Sequence, residues 1–113
     1  RAALRRSLQI ADGPVYKAGD LEVDLAQRKV TVGEEEIQLT PNEYDLLRVL
    51  IINAGKVLTH HYLLSEVWGV EYGEEFHILR VNISNLRRKI EPDPARPRFI
   101  ITEPGVGYRL KTD

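Results

Sequence analysis

The sequence predicts an α+β fold that consists of an N-terminal antiparallel β-sheet, three helices and a C-terminal β-hairpin. Within residues 14–40, apolar and polar residues alternate in short stretches, which is the period of β-strands. Between residues 40 and 90 the apolar residues recur at steps of three and four, which is the period of helices. A Pro-Gly pair then separates two short strand-like runs, as in a hairpin turn. With 113 residues, the chain has the length of one domain with a modest core.

The composition excludes several classes of protein. Hydrophobic residues make up 42% and charged residues 29% of the chain, which is typical of a folded domain rather than a disordered one. No apolar run approaches the ~20 residues of a membrane-spanning helix, so we expect no membrane partner. The chain has no cysteine, which excludes disulfides and thiolate metal sites and fits a cytoplasmic location. Without a nucleophile motif, a glycine-rich phosphate loop or metal-ligand spacing, we expect neither an enzyme nor a cofactor.

The first part of the chain divides into two segments. Residues 1–12 are basic, lack a strand pattern and begin with Arg rather than Met. We therefore expect them to be a residual linker or the end of a missing preceding domain, followed by one folded domain over residues 13–113. The strand pattern comes next, broken by the stretches AGD, AQR and GEE, and its apolar positions are Leu21, Val23, Leu25, Val30, Val32, Ile37 and Leu39.

Two helices are predicted from their boundary signals. In TPNE at 40–43, the threonine can cap a helix, the proline suits its first position, and the glutamate can complete a capping box. Gly55 ends this helix, and residues 56–59 are expected to form a short extended link. Thr59 then begins a second helix, which ends at Gly69.

A third helix is predicted over residues 76–90, with the sequence FHILRVNISNLRRKI. Its apolar residues recur at steps of four, three and four and predict a buried stripe, which consists of Leu79, Ile83, Leu86 and Ile90. At about 100° per residue, the opposite side of the helix forms what we call the outward face, which consists of His77, Val81, Ser84, Asn85 and Arg88. Arg80 and Arg87 lie on one flank, between the stripe and the outward face.

The second and third helices, followed by the hairpin, predict a winged helix-turn-helix fold. The major groove of DNA admits one helix, and its base edges offer hydrogen-bond partners and the thymine methyl group. The outward face is therefore a candidate base-contacting surface, with Arg80 and Arg87 placed near the phosphates. A polar face that is merely solvated is the alternative that the helix alone leaves open.

Two further features favour an anionic partner. Residues 1–76 carry 8 Lys and Arg against 13 Asp and Glu, a net charge of −5, whereas residues 77–113 carry 8 against 4, a net charge of +4. His60 and His61 begin the second helix, where free N–H groups and the helix dipole favour a phosphate. The three histidines could instead be metal ligands, but adjacent histidines in a chain without cysteine fit a metal site poorly.

Three segments resemble the DNA-binding output domain of OmpR/PhoB-type response regulators. They are LTPNEYDLLRVLIINAGKVLTHHYLLSEVWG, LRVNISNLRRKIE and FIITEPGVGYRL, and the likeness extends over residues 14–111. The RAALRR start and the DPARPRFIITEPGVGYR ending look most like the KdpE branch of this family. The resemblance implies sequence-specific binding of double-stranded DNA and transcription regulation within a two-component system.

The resemblance also implies roles for particular residues and partners. Trp68 would lie near the phosphates and the wing would approach the DNA backbone with Thr102, Tyr108 and Arg109, although Trp68 and Tyr108 could equally be core residues. The loop after the second helix would contact RNA polymerase, and it consists of Val70, Glu71, Tyr72, Gly73, Glu74 and Glu75. In complete members, a receiver domain that a sensor histidine kinase controls precedes the output domain, and the protein dimerises on direct-repeat half-sites. We therefore expect the isolated domain to be monomeric.

The sequence departs from the family pattern in two places. Asn82, Ser84 and Asn85 stand where some relatives have basic residues, and Pro104 stands where some have arginine in the wing turn. The fold and the general role survive these differences, but the target sequence of a relative cannot be carried over. The functional alternative is a winged-helix module that binds protein without binding DNA.

Overall fold

The structure is a computed structural model that describes residues 15–111. The segment expected to be a linker, residues 1–12, lies outside the described residues. The chain separates into two compact units, which divide between Gln38 and Leu39. In the part of the chain that the structure describes, no helix has the length and apolar character needed to cross a membrane.

The first unit is a four-stranded antiparallel sheet, as the alternating pattern predicted. Its strands are adjacent in the order of the sequence, and they are β1 (Val15–Ala18), β2 (Leu21–Asp24), β3 (Lys29–Val32) and β4 (Glu35–Ile37). Between β2 and β3, the Asp24 carboxylate accepts the N–H of Ala26 at 3.0 Å and of Gln27 at 3.1 Å. This side-chain turn ends at Arg28, which has a φ of 55°.

The second unit contains three helices and a three-stranded sheet. Its elements are α1 (Pro41–Ile52), β5 (Val57–Thr59), α2 (His60–Val67), a 3₁₀ turn (Val70–Tyr72), α3 (Phe76–Ile90), β6 (Ile100–Glu103) and β7 (Gly107–Leu110). The strands are antiparallel in the order β5-β7-β6. The helices pack on one another around a fully buried core that includes Leu46, Leu47, Leu50, Leu63, Leu64, Leu79, Ile83, Leu86 and Ile90. This arrangement is the winged helix-turn-helix that the sequence predicted.

The start of α1 confirms the predicted capping box. The Thr40 hydroxyl accepts the N–H of Glu43 at 3.2 Å, and the Glu43 carboxylate accepts the N–H of Thr40 at 3.1 Å. Pro41 occupies the first helical position, where a missing N–H costs nothing. At the other end, Gly55 has a φ of 87°, and its N–H donates to Leu110 O at 2.9 Å.

Residues 56–59, expected only as an extended link, contain the strand β5. Leu58 pairs with Tyr108 of β7, so β5 joins the hairpin and extends it to three strands. A Cβ atom at Gly107 would lie 1.8 Å from Leu58 O, so the close approach of β5 and β7 requires glycine at this position. The sequence reasoning missed this strand because its pairing partner is distant along the chain.

Candidate nucleic-acid interface

The helix α3 separates an apolar side from a polar side, as its spacing predicted. The four residues of the apolar stripe are at most 1% exposed, whereas Val81 on the opposite side is 41% exposed. His77, Ser84 and Arg88 are also exposed, and Asn85 is half-buried. The outward face is therefore accessible along its whole length.

Three members of the outward face are joined by hydrogen bonds. Arg88 Nη1 donates to Ser84 Oγ at 3.1 Å, and Arg88 Nη2 donates to the side-chain oxygen of Asn85. Residues three and four apart lie next to each other on a helix, so the guanidinium lies along the surface of α3. Because arginine has five N–H donors, Arg88 retains donors for an external ligand.

A groove lined by arginines runs along one flank of α3, next to the outward face. Its walls come from α3, the loop that follows it and β7, and they consist of Arg80, Ile83, Ser84, Arg87, Arg88, Pro94, Ala95 and Tyr108. Among residues 15–111, neither Arg80 nor Arg88 forms an ion pair with a carboxylate. Guanidinium groups bind phosphate through paired hydrogen bonds, so this flank is suited to a DNA backbone.

Arg87 has contacts that distinguish it from the other two arginines. Its Nε and Nη2 donate to Ile100 O at 3.2 and 2.8 Å, and Nη2 also donates to Thr102 Oγ1 at 2.8 Å. Burial lowers the pKa of the Arg87 guanidinium from its usual value, while Tyr108 and Glu91 oppose that shift. The group stays charged near neutral pH because arginine does not lose its proton in proteins. Its predicted contact with phosphate stays a prediction, and two of its three nitrogens already bind the hairpin.

The three wing residues named from the resemblance lie in different environments. Thr102 is exposed and accepts the hydrogen bond from Arg87. Tyr108 is only 5% exposed, and its ring packs between His60 and Arg87, which supports its alternative assignment to the core. Arg109 is half-buried, and its Nε donates to Glu103 at 2.9 Å across the hairpin.

The tip of the hairpin carries no basic residue. Val106 donates its N–H to Glu103 O at 3.0 Å, and Gly105 has a φ of 76°, the conformation that a tight turn with Pro104 ahead of it requires. Pro104, Gly105 and Val106 are all exposed. A contact made by this tip would therefore be an apolar or main-chain contact.

The N-terminus of α2 differs from its expected state. The N–H of His60 donates to Val106 O at 3.2 Å, and the N–H of Tyr62 donates to Thr59 Oγ1 at 3.0 Å, so these two groups are not free for a phosphate. The expected contact of His60 and His61 with a phosphate depends on free N–H groups at this helix start, and two of these groups already have partners. The centroids of the His60 and Phe76 rings lie 5.5 Å apart, and His61 Nδ1 lies 3.2 Å from Gly73 O.

The segment between α2 and α3 exposes both apolar and acidic side chains. Trp68, which follows α2, is half-buried, and this is compatible with either of its two predicted assignments. In the loop 70–75, Val70 is 77% exposed, Tyr72 is exposed, and the three glutamates are exposed. Gly73 is buried, because it lies against the His61 ring.

Two buried carboxylates position α3, and the sequence reasoning missed both roles. Glu91, directly after α3, is 6% exposed and accepts the N–H groups of Arg98, Phe99 and Ile100 at 2.6 to 3.1 Å. Glu43 of α1 binds Lys89 Nζ at 2.6 Å. The capping signal identifies Glu43, but nothing local in the sequence indicates its partner. Glu91 begins the proline-rich stretch 91–98, which has no local pattern that indicates a buried carboxylate.

No cluster of three or more potential metal ligands occurs among the residues that the structure describes. The three histidines serve other contacts or stand alone: His60 packs on rings, His61 contacts Gly73 O, and His77 is exposed on α3. The geometry thus offers a helix surface flanked by guanidinium groups.

Comparisons with known proteins identify the family. Residues 33–110 match the family described as "Transcriptional regulatory protein, C terminal". The chain is similar to the KDP operon transcriptional regulatory protein KdpE of Escherichia coli (strain K12), with 54% identity over 111 residues, which are 97% of this chain and 49% of that protein. The chain thus spans about half the length of this relative.

Two solved structures share the fold. The response regulator DrrB of Thermotoga maritima, an OmpR/PhoB homolog, has a TM-score of 0.79 and 37% identity over 87% of this chain and 44% of that chain. The RstA DNA-binding domain of Klebsiella pneumoniae, solved in complex with the RstA box, has a TM-score of 0.77 and 30% identity over 86% of this chain and 96% of that chain. The chain belongs to the family of C-terminal DNA-binding domains of OmpR/PhoB-type response regulators, and it is KdpE-like.

Proposed function

We propose that this domain binds double-stranded DNA in a sequence-specific manner and thereby regulates transcription. The observation that carries the proposal is the division of α3 into a fully buried stripe and an accessible outward face. A helix that reads bases needs an apolar side to anchor it and an open side of short or directional groups. The outward face has this composition, with one valine, two hydrogen-bonding side chains of small size, a histidine and an arginine.

The charges next to the outward face support the same orientation on DNA. Residues 77–113 carry a net charge of +4, and Arg80 and Arg88 have no carboxylate partner among the described residues. In a docked complex Val81 meets a thymine methyl or a sugar, Asn85 and Arg88 meet base edges, and Arg80 meets a phosphate. Each good bidentate pair with a base is worth about 1–3 kcal/mol of discrimination.

We extend the proposal to the partners of the complete protein. A receiver domain controlled by a sensor histidine kinase would bring two copies together on direct-repeat half-sites, and the isolated domain would bind as a monomer. Pairing two weakly bound domains raises the apparent affinity through effective concentration, without new base contacts. The loop 70–75, which is exposed except at Gly73, would contact RNA polymerase, since its acidic side chains suit a basic surface. Because a regulator of this kind acts on chromosomal DNA, it would work in the cytoplasm.

The decisive experiment selects bound duplexes from a random pool and then measures the salt dependence of binding. We expect a short recurring half-site and a steep fall in affinity with salt, because the slope of log K against log salt is about −0.9 for each phosphate contact. Recovery of no preferred sequence at any salt concentration would contradict sequence-specific binding. Complete absence of binding to duplex DNA would favour the alternative, a winged-helix module that binds protein, which the DNA complex of the similar RstA domain does not favour.

A further inference from the structure

We propose that Arg87 is a positioning residue, which fixes the hairpin β6–β7 relative to the outward face of α3 so that both can contact one DNA duplex. This inference rests on the proposed DNA binding and assigns Arg87 a task other than binding phosphate. Arg87 follows Leu86 of the buried stripe and precedes Arg88 of the outward face, so its side chain leaves α3 at the border between core and interface.

The hydrogen bonds of Arg87 all end on one strand of the hairpin. Its Nε and Nη2 converge on Ile100 O, and Nη2 also reaches Thr102 Oγ1 at 2.8 Å. A planar guanidinium presents donors in a fixed fork, and this allows one side chain to bind two acceptors on the same strand. A lysine keeps the charge but has a single nitrogen, so it cannot reproduce this pattern.

The second strand of the hairpin is held by the same guanidinium. The Arg87 guanidinium carbon lies 5.7 Å from the centroid of the Tyr108 ring on β7, within the range of a cation–π contact. The centroid of the Tyr108 ring in turn lies 5.6 Å from that of the His60 ring, and the main-chain N–H of His60 donates to Val106 O. The hairpin is thus fixed to α3 by Arg87 and to the start of α2 by His60.

The same geometry argues against a phosphate contact as the main role of Arg87. Its Nε and Nη2 form one side of the guanidinium, and that side is occupied by main-chain and hydroxyl oxygens. Arg80, about two turns closer to the start of α3, is exposed and has no such contacts among the described residues. A hairpin that is fixed before binding also avoids the cost of ordering it on the DNA.

The first test uses the free protein and needs no DNA. In Arg87→Lys, we expect the amide hydrogens of β6 and β7 to exchange roughly 10- to 100-fold faster with solvent, while those of α1 are unchanged. Thr102→Val removes one acceptor of Arg87 at an exposed position and should produce a smaller change in the same amides. Unchanged exchange in the hairpin of Arg87→Lys would overturn the inference.

The second test uses two duplexes that contain the selected half-site. Because the chain has no cysteine, Val106→Cys provides a unique cross-linking site at the exposed hairpin tip, which locates the hairpin on the DNA. The second duplex is shortened at that end, so that the hairpin has no DNA to contact. We expect Arg87→Lys to weaken binding to the full duplex by about tenfold and to the shortened duplex by less than about twofold.

A matched control separates this role from a phosphate contact. Arg80→Ala should weaken binding to both duplexes by the same factor, as expected for a cation that touches the backbone beside α3. If Arg87→Lys binds both duplexes like the wild type, or weakens both equally, the positioning role is wrong. If no duplex binds at all, the proposed function fails, and the exchange experiment alone decides the role of Arg87.

Discussion

Glu91 should be one of the most destabilising positions of the domain to replace, because its carboxylate holds the chain between α3 and β6. It accepts three main-chain N–H groups, and two of them belong to the buried residues Phe99 and Ile100. In Glu91→Ala these two donors stay buried without a partner, and each such group costs about 1–3 kcal/mol. We therefore expect the free energy of unfolding to fall by about 2–6 kcal/mol, from a total that is typically about 5–15 kcal/mol.

Urea and thermal unfolding followed by circular dichroism measure this loss. For a domain of this size, 1 kcal/mol corresponds to a shift in Tm of about 4–8 °C, so the change should be well resolved. Glu91→Gln keeps the shape and one acceptor oxygen, and it should lose less than Glu91→Ala. Glu66→Ala, at an exposed position of α2, is the matched control and should change stability by less than about 0.5 kcal/mol. A loss below about 1 kcal/mol for Glu91→Ala would refute the hydrogen-bond argument.

Three other substitutions test separate parts of the structure. Gly107→Ala should cost about 3 kcal/mol or more in urea unfolding, because its Cβ would meet the main-chain oxygen of Leu58 at 1.8 Å; a near-neutral result would contradict the close approach of β5 and β7. Lys89→Ala should cost about 1–3 kcal/mol, since it leaves the carboxylate of Glu43, which is 3% exposed, without its ion-pair partner; wild-type stability would show that the pair contributes nothing. Arg80→Ala should weaken binding to all duplexes alike and reduce the salt slope by about 1, whereas a changed sequence preference would place Arg80 on a base.

Features that depend on near neighbours in the chain could be predicted from the sequence. The capping box of Thr40 and Glu43 joins residues three apart, so its residue types alone specify the start of α1. The stripe and outward face of α3 also follow from spacing within one helix, and both are present over Phe76–Ile90 as predicted. Local periodicity was thus sufficient to predict which side of α3 is buried.

Contacts between distant segments could not be predicted in the same way. In the sequence, Arg87 does not differ from other basic residues on the flank of a helix, because its hydrogen-bond acceptors lie on β6, 13 and 15 residues further along the chain. The N–H of His60 was expected to be free because the approach of Val106 from the hairpin is not encoded near α2. Glu91 likewise acquires its role only when the chain folds back to place three N–H groups around it. Long-range hydrogen bonds therefore account for most of what the sequence reasoning missed at this interface.

The bonds of Arg88 to Ser84 and Asn85 have a consequence for the choice of base. The amide oxygen of Asn85 and the hydroxyl oxygen of Ser84 each accept one hydrogen bond from Arg88 and keep one lone pair, so donors outnumber the free acceptors on these three side chains. In the wide groove of DNA, guanine presents two acceptors, N7 and O6, whereas the exocyclic amine of cytosine presents a donor. If this face binds the major groove as proposed, its excess of donors would favour guanine over cytosine at the bases it contacts.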